Sequence, residues 1–289
     1  MVLVHAHPDD ECIGTGVTMA RAVDEGVGVT LLTCTRGEEG EVLVPDLSHL
    51  AAGDTDSLGH HRETELAEAM RILGVTDHRF LGEHGEFRDS GMMGEPTNDR
   101  PECFWRADLL EAATRVAAVL REVRPQVLVS YDQNGGYGHP DHIQAHRAAM
   151  YGSVLAAAPS YRRDLGEPWD VPKIYWTAIP QSYVQRGIDA IIAAGGSAFF
   201  GTEDAADLPF VVPDDVVTTR IDGRAFEPRK MAALRAHETQ VEADSAFFLM
   251  AEQIGPDAMG WEFFVRVRGP RGEVDDEGYE TDLFGGLAD

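Results

Sequence analysis

Two short clusters carry the residues best equipped for chemistry. His7-Pro8-Asp9-Asp10-Glu11 follows an apolar run, Met1 to Val4, and His139-Pro140-Asp141-His142 lies far downstream. Together they offer two imidazoles and a carboxylate to one divalent ion, with spare acids and a spare histidine beside it. A catalytic zinc site commonly takes three protein ligands and keeps one position open. His7 and Asp10 stand three residues apart at a strand-to-helix turn, where both side chains can point the same way. His142 is the third ligand, from a second loop. Two imidazoles and one carboxylate suit Zn2+, one per chain, and also Fe2+; residue types do not choose between them. Such an ion makes its water acidic and polarises a carbonyl, so metal-assisted hydrolysis is the expected chemistry.

The neighbouring residues then take roles. Asp9 adjoins a ligand without being one, and reads as the general base. His139 precedes His142 by three residues, which sets it on the far side of a substrate carbonyl, where a protonated ring stabilises an oxyanion. Asp141 is expected to orient that ring and keep it charged. Asn134-Gly135-Gly136 lets the loop carry Tyr137 over the site as a further donor. His5 reads as buried and hydrogen-bonded, and His146 as packing or facing solvent. His60, His61, His78, His84 and His237 show no pattern, and Cys12 reads as a small buried residue. Glu11 has no assigned task. Gly14-Thr15-Gly16 lacks the third glycine of a dinucleotide loop and follows a carboxylate-rich turn that would repel a pyrophosphate. Neither a Walker sequence nor a Gly-x-Ser-x-Gly elbow occurs.

These clusters need elements to position them. In the first half, short apolar runs alternate with helical patterns, which predicts an α/β fold, Rossmann-like, with a mostly parallel sheet flanked by helices. Strands are expected at 2–4, 27–34, 79–81 and 126–130, and helices at 14–25, 56–73, 108–123 and 140–155. Each strand is followed by a polar cluster: 7–11, 37–41, 83–91 and 131–142. The carboxyl ends of parallel strands share one rim, where ligands bind, so these clusters should meet there. A connector spans 158–172. Beyond it, an apolar run at 174–179, a helix at 181–194, a loop at 195–207, a strand at 216–221, a helix at 227–240 and a strand at 261–267 predict a smaller C-terminal α/β subdomain. The expected division is a metal-dependent hydrolase domain at 1–172 and, at 173–289, a subdomain completing the pocket. The acidic stretch 269–278 is expected to be mobile, and 279–287 to dock.

Composition narrows the partners. The chain has 289 residues, 43% of them hydrophobic, ordinary for a globular protein with ample core. Fifty acids against 24 bases give a formal charge of −26, which argues against nucleic acid and anionic membranes. A small molecule is the expected partner. No apolar stretch can span a bilayer, no signal peptide is expected, and the three cysteines form no CxxC pair; these point to the cytoplasm.

With these residues in hand, the chain resembles the LmbE-like, or GlcNAc-phosphatidylinositol de-N-acetylase-like, family of zinc amidohydrolases. The paired His-Pro-Asp-Asp-Glu and His-Pro-Asp-His motifs carry the likeness. Further matching stretches are Thr33 to Val42, Phe87 to Met92, Tyr131 to His139, Ala236 to Gln240 and Glu280 to Leu283. Within the family, the likeness is to the mycothiol branch that deacetylates an N-acetylglucosaminyl-inositol. The resemblance implies His7, Asp10 and His142 as metal ligands, Asp9 as base and later acid, and His139 and Tyr137 at the oxyanion, with Asp141 behind His139. It also implies that Arg62 binds the inositol end and that Asp89 contacts sugar hydroxyls. A sister activity is cleavage of mycothiol S-conjugates. Gly138 stands where that amidase pattern has proline, and Cys12 to Gly16 lacks the amidase's lysine. The same segment also departs from the more polar deacetylase pattern.

Overall fold

The computed structural model describes residues 1–193, 201–242 and 244–287. Its strands are β1 (Val2–His5), β2 (Thr30–Thr33), β3 (Asp77–Phe80), β4 (Val127–Ser130), β5 (Lys173–Ala178), β6 (Thr219–Asp222) and β7 (Trp261–Arg268). Its helices are α1 (Asp10–Asp24), α2 (Leu58–Leu73), α3 (Leu109–Val123), a kinked turn α4 (Gly135–Gly138), α5 (Pro140–Ala157), α6 (Gln181–Ala193), α7 (Glu227–Arg235), α8 (Ala246–Ile254) and α9 (Pro256–Met259). The strands form one sheet in the order β3-β2-β1-β4-β5-β7-β6. The first five pair in parallel, and β7 runs antiparallel between β5 and β6. This is the expected mostly parallel α/β sheet. Strands on both sides of residue 172 belong to it, because β5 pairs with β4 as well as β7.

β1 is buried along its whole length, and its residues alternate between two cores. Leu3 joins Met19, Leu31, Leu66 and Met231 under α1, α2 and α7. Val2 and Val4 join Val116, Leu120, Leu128 and Ala145 under α3 and α5. Burial on both faces is why these central strands read as continuous apolar runs. Asp108 caps α3, accepting from Leu110 N at 2.8 Å and Glu111 N at 3.2 Å. β1 sits between β2 and β4, so the chain leaves neighbouring strands in opposite directions. The diverging loops open a crevice at the carboxyl ends of β1 and β4.

Several boundaries differ from the sequence expectation. α1 begins at Asp10, inside the first polar cluster. α7 ends at Arg235, because residues 237–240 turn to hydrogen-bond other elements. α8 has no counterpart in the expected pattern. The stretch 269–278 is not loose: Asp275 pairs with Arg220 at 2.8 Å, and Gly272 N donates to Glu280 at 2.6 Å. Glu280 is fully buried and meets buried Lys173 at 3.2 Å, which docks the last segment. Residues 195–200 of the expected loop, and Ala194 of the expected helix, lie outside the described residues. Among the described residues, no helix is long and apolar enough to cross a membrane.

Candidate active site

The turn after β1 and the start of α5 bring three side chains together. His7 Nδ1 and His142 Nε2 each lie 3.3 Å from the same oxygen, Asp10 Oδ2. Two donors each about 2.0–2.1 Å from a tetrahedral ion stand roughly 3.3 Å apart. His142 Nε2 is buried and has no hydrogen-bond partner, as a nitrogen reserved for a cation would be. Burial opposes charge on Asp10, yet His142 and His7 outweigh it and hold the carboxyl well below its usual range. Burial likewise opposes a charged His7, but Asp89, Asp10 and Asp141 hold its pKa well above the ordinary value. The pocket is therefore built for positive charge, and the donor set fits one divalent metal. Ring nitrogens of His7, His139 and His142 also come within 4.8 Å of one another. His139 spends Nδ1 on the backbone of α5, so Asp10 is the better third ligand.

Asp9 occupies an uncommon backbone position, φ 106° and ψ −35°. A non-glycine residue there costs on the order of 1–3 kcal/mol and persists only where its surroundings over-determine it. Its carbonyl accepts from Cys12 N and Ile13 N at 3.0 and 3.1 Å, starting α1. Its carboxylate takes Arg62 Nη2 at 3.1 Å. Burial pushes the Asp9 pKa up to about 6, with Arg62 pulling against it. That value suits a group that must both take and return a proton near neutrality.

The structure reassigns Asp141. Its carboxylate makes no hydrogen bond or ion pair with the His139 ring. One oxygen lies 3.3 Å from His7 Nε2 and accepts Ser90 N at 2.8 Å; the other accepts Ser90 Oγ. Asp141 thus stands behind His7, the arrangement by which carboxylates orient ligating imidazoles. His139 caps α5 instead, with Nδ1 accepting from Asp141 N at 3.1 Å. An accepting Nδ1 leaves the proton on Nε2. Burial, His7 and His142 lower the His139 pKa to about 3. The capping geometry leaves an Nε2–H free to donate.

The loop after β4 is differently made. Gly135 has φ 63°, and a Cβ there would sit 2.6 Å from both His142 Cβ and Ile143 N. Only glycine lets the chain pass so close to His142. Tyr137 beyond it is 41% exposed, its ring 5.0 Å from His142 and 6.1 Å from His139. Arg62 is 2% exposed and binds Gly37 O at 2.9 Å, Pro8 O and Asp9. Most of its donors are spent inside the protein, so it is first a clamp on the catalytic turn. Asp89 accepts from Gly91 N at 2.8 Å and Glu39 N at 3.2 Å, and stands 3.6 Å from His7 Nε2. Burial works against its charge, but His7 and Gly91 keep its pKa far below normal.

Several residues escaped sequence reasoning. Tyr131 stacks on His142 with centroids 4.3 Å apart, and its hydroxyl accepts from Ala6 N at 2.9 Å. It fixes the His142 ring against the end of β1. Ser90 positions Asp141, and buried Glu11 pairs with buried His237 at 2.8 Å. Glu11 was marked by its place in the first cluster, and Ser90, Tyr131 and His237 only by lying in stretches that match the family; none was given a role. His7, Asp9, Asp10, Asp89, Tyr137, His139 and His142 line one cavity of 1820 Å³, above the usual range of about 300–1,000 Å³. Its far wall is apolar, with Tyr183, Ile188, Phe210 and Met250.

A family model described as GlcNAc-PI de-N-acetylase matches residues 2–151, about half of the chain and both clusters. The chain belongs to the GlcNAc-PI de-N-acetylase family. Among its relatives is the 1D-myo-inositol 2-acetamido-2-deoxy-alpha-D-glucopyranoside deacetylase of Geodermatophilus obscurus. The two are 57% identical over 288 residues, 99% of this chain and 97% of that protein. The 1D-myo-inositol 2-acetamido-2-deoxy-alpha-D-glucopyranoside deacetylase 1 of Catenulispora acidiphila is 56% identical, covering 99% and 89%. The N,N'-diacetylchitobiose deacetylase of Pyrococcus horikoshii has a similar fold, with TM-score 0.61 at 20% identity over 93% of this chain and 83% of that one. A de-N-acetylase must gather an acidified water, a base and an oxyanion donor at one carbonyl. In this family member the turns after β1 and β4 bring the side chains of both clusters to one cavity.

Proposed function

We propose that the chain hydrolyses the acetamide of 1D-myo-inositol 2-acetamido-2-deoxy-alpha-D-glucopyranoside to acetate and the free amine, glucosaminyl-inositol, a step of mycothiol biosynthesis. The observation that carries this is the convergence of His7 Nδ1 and His142 Nε2, each 3.3 Å from Asp10 Oδ2, in a chain 57% identical to a deacetylase so named. Zinc is the metal we assign to His7, Asp10 and His142, since four-coordinate N2O sites with an open position suit it. Bound there, it would polarise the acetamide carbonyl and acidify water.

The chain's own residues do the rest. Asp9 takes a proton from the attacking water as the new C–O bond forms. His139 donates Nε2–H to the carbonyl oxygen as that oxygen gains charge, and Tyr137 adds a second donor. Asp9 then returns its proton to the nitrogen as the C–N bond breaks. Asp141 holds His7 in its ligating orientation. Asp89 and Arg62 offer charge to sugar and inositol hydroxyls at the cavity wall. We assign the metal and proton chemistry to 1–172 and closure of the cavity to 173–289. Three free, buried cysteines suit a reducing cytoplasm.

The test is a turnover assay on this amino sugar, counting acetate and amine, with metal analysis of the same preparation. One amine per acetate at one zinc per chain is expected; no release by the zinc-loaded protein would sink the proposal. The size of the cavity favours a second reading, cleavage of the larger amide of a mycothiol S-conjugate. Turnover of both substrates side by side ranks the two.

A further inference from the structure

The turn from Ala236 to Gln240 takes no part in the chemistry above, yet one of its side chains ends beneath the catalytic turn. His237 is fully buried, and its Nε2 donates to Glu11 Oε1 at 2.8 Å. Glu11, also fully buried, uses Oε2 to accept the backbone N–H of Asp9 at 2.9 Å. That N–H belongs to the residue at φ 106°. Among the described residues, the other side-chain tethers on Pro8 and Asp9, to Pro8 O and Asp9 Oδ2, come from Arg62. A strained residue stays put only while its surroundings hold it. The turn carrying His237 is fixed separately: Thr239 N and Oγ1 donate to Glu65 at 2.8 and 2.9 Å. His237 therefore transmits a position rather than setting its own.

We propose that His237 is a positioning residue. Through Glu11 it fixes the Asp9 backbone and so aims the carboxylate that moves the proton. This rests on the base role of Asp9 given above.

Four variants test it on N-acetylglucosaminyl-inositol with zinc content measured throughout: His237→Leu, His237→Gln, Asp9→Asn and the double variant Asp9→Asn/His237→Leu. His237→Leu should lower kcat roughly tenfold or more by misaiming the base, with KM and zinc content held within about twofold. His237→Gln, whose amide nitrogen reaches the Nε2 position, should recover at least about half of the lost turnover. On the Asp9→Asn background His237→Leu should change residual turnover by less than about twofold, since coupled residues are not additive. An equal fold loss on both backgrounds, an equal loss in the Leu and Gln variants, or no loss overturns the proposal. Should His237→Leu fail to fold, His237→Asn replaces it, because its amide stops at the Nδ1 position short of Glu11. Parent turnover by Asp9→Asn alone would overturn the base role itself, and this proposal with it.

Discussion

The turn after β1 and the turn after β4 meet at one site and are built in opposite ways. The first is locked: Asp9 sits at φ 106°, held by Glu11, Arg62 and the start of α1. The second is loose in kind: Gly135, Gly136 and Gly138 all have positive φ, and Tyr137 is 41% exposed. Metal ligands and a base must be placed to a fraction of an ångström, which strain and buried hydrogen bonds achieve. A group that closes over a substrate must let it in first. His142, buried just beyond the loose turn, belongs by its surroundings to the locked side. Tyr131 stacks on it, and Asp10 faces it.

The largest effect should come from cutting the link between the turns. His142→Ala removes the only proposed ligand that α5 supplies. Metal analysis should find less than about a tenth of the parent's zinc, and turnover should fall by roughly 10⁴. Dialysis against a chelator should do the same to the parent, with recovery on adding zinc. Full zinc occupancy in His142→Ala would break the comparison, since the locked turn would then hold the ion alone. Asp9→Asn comes next, with zinc retained and turnover down by about 10³. A parent-like rate would mean that the strain at Asp9 serves something other than proton transfer.

Much of this was legible in the sequence, for identifiable reasons. β1, β2 and β4 are buried on both faces, so their runs are mostly apolar, and polar residues mark where each ends. That pattern located the rim and the His7 and His139 clusters. It could not say which carboxylate faces which imidazole. Asp141 was expected behind His139, two residues away. The helix instead turns its carboxylate toward His7 and Ser90, which are neighbours only through the sheet. Glu11 and His237 are 226 positions apart, and a long-range pair of this kind leaves no local periodicity. The end of α7 was missed for the same cause. Residues 237–240 have acceptable helical propensity, but Glu11, Glu65 and Glu41 O compete for their donors.

His139 tests the border between the regions. It caps α5 through Nδ1, a locked role, and in the proposed mechanism it offers Nε2–H to the oxyanion, a catalytic one. His139→Ala should lower turnover by roughly 10² to 10³, the value of one oxyanion donor. It should also cost about 1 kcal/mol in denaturant unfolding, the value of a lost cap. His139→Asn restores a capping acceptor, so it should regain the stability while leaving turnover low. Recovery of both together would mean that His139 acts only by holding α5.

The smallest effect is expected at Tyr137, and it discriminates most sharply. Its hydroxyl makes no hydrogen bond among the described residues, and the side chain is 41% exposed. Tyr137→Phe should therefore leave the melting temperature within about 1 °C, since exposed substitutions away from such contacts change little. Turnover should fall only about tenfold, less than a fixed donor is worth, because no hydrogen bond holds the tyrosine hydroxyl in place. The loss should appear in kcat with KM unchanged, since the missing bond forms as charge develops. A loss as deep as that of His139→Ala would mean the glycine-rich turn is as firmly placed as the turn at Asp9. No loss at all would remove Tyr137 from the oxyanion and leave His139 as the chain's single donor there.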